Sequence, residues 1–84
     1  MKYKFTDFFV SKEKQFSVGM EYFSKHYYVS FPQSTDNRLS EYEVYYKIPS
    51  NLTYLTQTDP LMLEPFVQEC REGNHMNLKI TLSC

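Results

Sequence analysis

Glycine is nearly missing from this sequence, with two in 84 residues. Two glycines cannot build the phosphate-cradling turns of a Walker or Rossmann site. Turns must draw on Asn, Asp, Ser and Pro instead. Cysteine is as scarce, at Cys70 and Cys84. Two cysteines make no disulfide framework, and in a reducing compartment both stay thiols. The two histidines, His26 and His75, are far apart, and neither a CxxC nor an HxxxH spacing occurs. A zinc site wants three or four Cys or His ligands, so no metal site and no cofactor is expected. No apolar run approaches the ~20 residues of a membrane span. The start, "MKYKFTDFF", meets Asp7 before any signal-peptide apolar core develops. The chain therefore reads as cytoplasmic, without membrane attachment. Asn51-Leu52-Thr53 matches a glycosylation acceptor, a match that matters only in a secreted protein.

What the sequence has in excess is aromatic side chains, seven Phe and eight Tyr, with no Trp. At 42% hydrophobic and 23% charged it is globular in composition, and its length allows a single domain, residues 1–84, with one modest core. The net charge of −1 is unevenly placed, being +2 over residues 1–30 and −3 over 31–84. Neither half demands a nucleic acid or an anionic membrane.

Period-two alternation marks three strands. Phe16, Val18, Met20 and Tyr22 alternate with Ser17, Gly19 and Glu21, and Gly19 within that run signals a bulge or a close backbone approach. Tyr27, Val29 and Phe31 share a face, and Pro32 is expected to end their strand. In "EYEVYYKIP", Tyr42, Val44, Tyr46 and Ile48 oppose Glu41, Glu43, Tyr45 and Lys47. The first segment fits two patterns: Phe5, Phe8, Phe9 and Phe16 as a helical stripe, or Tyr3, Phe5 and Phe9 as an extended strand. Its aromatic content favours the strand.

From Ser50 the period changes. Asp59 and Pro60 offer a helix start, and Pro65 makes a continuous helix through it costly. One turn at 60–63 followed by a helix beginning near Glu64 resolves this. Leu63, Phe66, Val67 and Cys70 then form its apolar face, and Gly73 its stop. Leu78, Ile80 and Leu82 return to period two as a last strand. The expected fold is α+β, an antiparallel sheet of four or five strands with a helical segment at about 50–72 packed on one face. The expected core comprises Phe16, Val18, Met20, Tyr27, Val29, Phe31, Tyr42, Val44, Tyr46, Leu63, Phe66, Val67, Leu78, Ile80 and Leu82.

No catalytic constellation is legible. Glu41 with Glu43, and Glu69 with Glu72, pair carboxylates, but on faces read as solvated, where neither pKa is raised for acid catalysis. Tyr28 and Tyr45 stand out because each lies off the parity assigned to the core. Cross-strand aromatic packing explains them simply. A functional explanation is a protein-contact surface of Tyr45 with Glu41, Glu43, Glu69 and Glu72, which calls for a partner with a basic surface. Small inhibitors and immunity proteins answer this description, an analogy of size and charge. The reading is thus a non-enzymatic protein-binding module. An alternative is single-stranded nucleic-acid binding, with Tyr28 stacking a base and Lys25 meeting phosphate. A structural homodimer through an exposed sheet edge is a third.

Overall fold

The computed structural model describes residues 3–34 and 41–80. They form a four-stranded antiparallel meander, β1 (Phe5–Ser11), β2 (Phe16–Glu21), β3 (Tyr27–Ser34) and β4 (Glu41–Lys47), in the order β1-β2-β3-β4. Two helices follow, α1 (Leu55–Thr58) and α2 (Glu64–Arg71), with 3₁₀ turns at Ser50–Leu52, Pro60–Leu63 and Met76–Leu78. The architecture is α+β, as the sequence implies. Among the described residues no helix is long and apolar enough to cross a membrane.

Proline and glycine set the helical layer as their chemistry predicts. Pro60 opens the 3₁₀ turn, and Pro65 sits in the first turn of α2, where its missing N–H has no intrahelical partner to lose. Gly73, at φ 91°, takes the left-handed conformation after the helix. Its N–H donates to the Cys70 carbonyl at 3.1 Å, and the Asn74 N–H reaches back to Glu69 at 3.0 Å. Leu63, Phe66, Val67 and Cys70 bury against Phe16, Val18, Val29, Phe31, Val44, Tyr46 and Ile48. This is the main core, on one face of the sheet.

Several expectations are corrected. Tyr42 has core parity but remains 47% exposed, because it lies at the start of β4, outside the cluster that the sheet and helices bury together. Met20, Tyr27, Leu78 and Ile80 are only half-buried, and of these Tyr27 and Leu78 pack against the core. Pro32 does not end β3, which continues to Ser34. The β2 register ends at Ser17 opposite Ser30, so Pro32 has only β4 beside it, and a missing N–H is tolerated there. Of the expected last strand, the described residues show an isolated bridge between Tyr46 and Lys79 and an Ile80 N–H donated to the Tyr45 carbonyl at 2.8 Å. Leu78 itself closes a 3₁₀ turn, and Leu82 and Cys84 lie outside the described residues.

β1 resolves its own ambiguity through a bulge. Its register against β2 shifts between Asp7 and Phe9, so Phe8 is the extra residue. Phe5 and Asp7 consequently face one side of the sheet, and Phe9 the other, where it meets Phe16 at 6.0 Å between ring centroids. A helix-like spacing of phenylalanines is thus satisfied by a bulged strand.

Candidate functional site

The face of the sheet turned away from the helices carries Phe5 and Asp7 of β1, Gly19 and Glu21 of β2, Tyr28 of β3, and Glu43, Tyr45 and Lys47 of β4. It is not an open solvated face. The sheet curls until edge strand β1 faces edge strand β4, and the ring of Phe5 stacks on that of Tyr45 at 3.9 Å. Tyr28 packs edge-on against both, at 4.9 Å from Phe5 and 5.5 Å from Tyr45. Tyr28 is therefore fully buried, at 0% exposure.

Gly19 makes this second cluster possible. It pairs with Tyr28 across β2 and β3 and with Asp7 across β1 and β2. A Cβ there would fall on the Thr6 carbonyl oxygen and within 2.6 Å of the Tyr28 hydroxyl. The bare backbone lets the Tyr28 ring cross it and donate its O–H to Asp7 Oδ1. Burial, then the hydrogen bond and charge of Asp7, push the Tyr28 phenol well above its usual range, so it stays a donor. Burial, followed by the charges of Glu43 and Asp7, raises the Tyr45 phenol as well. Two carboxylates from opposite edges of the sheet thus act on the same aromatic cluster. Beyond them a groove of about 180 Å³ continues along this face past Val10, Ser17, Ser30 and Pro32, with Glu43 and Lys12 as the charged residues of its wall.

Glu21 has a different role. Only 1% exposed, it bonds the turn that follows β2. Its Oε2 accepts the N–H groups of Lys4 at 2.8 Å and Phe23 at 3.1 Å, and its Oε1 accepts that of Ser24 at 2.7 Å. Burial alone would raise its carboxyl, but the backbone donors outweigh it and hold the pKa at about 2. The turn they fix places Lys25 at φ 63° with its ammonium 4.2 Å from the Tyr22 ring centroid.

The residues singled out from the sequence fall into separate places. Tyr45 and Glu43 share the curled face, and Glu41 pairs with Ser34 at the start of β4. Glu69 and Glu72 belong to α2, whose buried side packs on the opposite face through Phe66, Val67 and Cys70. The sheet separates them from Tyr45, so the five do not make one surface. Glu69 instead lies 2.6 Å from His75 Nε2. Tyr28 cannot stack a base, because its ring is enclosed; parity placed it off the main core, and β1 curling over it supplied a second one. Asp7 is a site residue that the sequence signals only as a lone carboxylate among phenylalanines.

Cys70 is buried, and that burial, then Glu69, lifts its thiol to about 12, so it is not a thiolate at neutral pH. Among the described residues no group of three or more His, Cys, Asp or Glu side chains is placed to hold a metal ion. No protein-family model, curated protein or solved structure matches the chain.

Proposed function

We propose that this chain is a non-enzymatic, cytoplasmic protein-binding module whose curled sheet face receives a basic segment of another protein, in the manner of an inhibitor or immunity-type protein. The observation that carries the reading is the convergence of Asp7 and Glu43 on Tyr45. Asp7 accepts the hydroxyl of Tyr28, against which the half-buried Tyr45 packs, and Glu43 stands two residues before Tyr45 on the same side of β4, with exposed Val10 beside the groove. Aromatic anchors inside a charged rim are the common anatomy of a protein interface, and the acidic rim selects a basic partner. Glu69 and Glu72 have no part in this site, since α2 covers the other face.

The test compares capture from the native host by the wild-type chain, by Glu43→Lys and by a Glu69→Lys/Glu72→Lys double variant. The expected result is one stoichiometric basic protein retained by the wild type and the double variant and lost by Glu43→Lys. Equal loss in the double variant, or equal retention in Glu43→Lys, would move the site off this face.

A further inference from the structure

The end of the sheet formed by the β2–β3 turn and the close of β4 has the reverse charge. Two neighbouring concavities of about 330 and 490 Å³ open there, sharing His26, Lys47 and Leu78 in their walls. Lys25 lines the first and Lys79 the second. The three lysines come from the β2–β3 turn, the end of β4 and the segment that bridges to Tyr46. Sequence separation hides their proximity. Among the described residues the ion pairs are Lys14 with Glu64 and His75 with Glu69, so none of these three has a carboxylate partner within 4.0 Å. The one carboxylate in the wall is Glu21, and its oxygens are already engaged by the backbone N–H groups of Lys4, Phe23 and Ser24. Three lysines against one carboxylate leave the concavity positive in a chain whose net charge is −1.

Composition and size narrow the ligand. Ser24 and Asn77 add neutral polar groups, while Ile48, Leu78 and the Tyr3 ring give the walls an apolar share. Volumes of a few hundred Å³ suit a small molecule, and ammonium groups around such a space suit phosphate. We infer that these adjoining basic concavities bind a phosphate-bearing small molecule of nucleotide size, with its phosphates on Lys47 and Lys79, joined by Lys25 as its ammonium leaves the Tyr22 ring, and its body against Tyr3 and Leu78. The site is distinct from the acidic-aromatic one and needs no protein partner, so its test stands or falls independently of that reading.

The test is a titration of the purified ¹⁵N-labelled chain, followed by amide chemical shifts, with ATP, inorganic pyrophosphate and a 5′-phosphorylated oligothymidylate in separate arms. With ATP, saturable shifts are expected at Lys25, His26, Lys47, Asn77 and Lys79, with a Kd of about 1 mM or tighter. The shifts should weaken as salt is raised. Lys47→Gln/Lys79→Gln should weaken binding by about tenfold, on the strength expected of charge-assisted contacts. Lys25→Gln, on an exposed turn, is the second variant should the double one lose its dispersed spectrum. Pyrophosphate binding more weakly than ATP at the same amides would support the apolar wall's share. Binding of the oligonucleotide without binding of ATP would overturn the proposal in favour of a strand. The absence of saturable ATP shifts in the wild type, or shifts unchanged in a folded lysine variant, would overturn it outright.

Discussion

Phe5 and Tyr45, on strands at opposite edges of the sheet, stack ring on ring at 3.9 Å with an interplanar angle of 12°. Edge strands of a flat four-stranded sheet stand roughly 14 Å apart, three spacings of ~4.8 Å, so this contact measures how far the sheet has curled. The pair closes a second hydrophobic cluster over Tyr28. Tyr45 is consequently a packing residue as well as a candidate contact. Tyr45→Ala should destabilise the fold by about 2 kcal/mol, combining lost aromatic pairing with lost burial. Tyr45→Phe should stay within ~0.5 kcal/mol of wild type, since the stack survives. A urea-unfolding double-mutant cycle of Phe5→Leu with Tyr45→Leu should give a coupling of about 1 kcal/mol, and additive effects would show the rings to be independent.

Gly19 should tolerate no side chain. A methyl there meets the Thr6 carbonyl on β1 and the Tyr28 hydroxyl together, so relief requires moving a backbone or expelling a buried ring. Gly19→Ala is expected to cost at least ~3 kcal/mol, in the range of severe overpacking. Circular dichroism melting checks this, and a variant melting within a few degrees of wild type would mean that β1 can shift away freely.

Stability should fall on the acid side through Glu21. Its carboxyl is held at about 2 in the fold against an ordinary 4.5. The unfolded chain therefore binds this proton more readily than the native one. The stabilisation is complete above pH 4.5 and is lost as pH falls toward 2. In Glu21→Gln, which cannot offer two anionic oxygens to three N–H donors, the melting temperature should be lower at pH 7. Its decline between pH 4.5 and 2 should also be shallower than that of the wild type. Parallel acid profiles of the two proteins would remove Glu21 as the cause.

Arg71 ties the end of α2 to the β1–β2 turn. Its Nη2 donates to the carbonyls of Gln15 at 2.7 Å and Lys14 at 3.1 Å, and its guanidinium lies 5.2 Å from the Phe31 ring centroid. A lysine has neither the planar fork nor the stack, so Arg71→Lys should cost about 1 kcal/mol. Lys14→Ala, which removes the exposed ion pair to Glu64, should cost less than ~0.5 kcal/mol. Equal losses in chemical denaturation would reduce Arg71 to an ordinary surface charge.

Local chemistry wrote much of the architecture into the sequence. Alternation at Phe16–Val18, Val29–Phe31 and Val44–Tyr46 is legible because a strand with one buried face must repeat every two residues. Pro60, Pro65 and Gly73 bracket the helical turns because each permits only a narrow set of backbone conformations. The identity of the residues on the second face is equally legible, down to Tyr45 between Glu43 and Lys47. What covers that face is not, because the answer depends on a bulge at Phe8 and on a curl that brings β1 to β4. Periodicity assigns a side chain to one side of its own strand and carries no information about another strand arriving there. For that reason Tyr28 reads only as lying off the main core and is enclosed by a second one, and Glu69 and Glu72 read as companions of Tyr45 and lie across the sheet from it. Lys25, Lys47 and Lys79 are far apart in the chain and line two adjoining concavities only once three segments converge. The sequence determines the elements and their apolar sides by local stereochemistry; the tertiary structure alone decides the neighbours, because long-range contacts depend on curvature summed over the whole sheet.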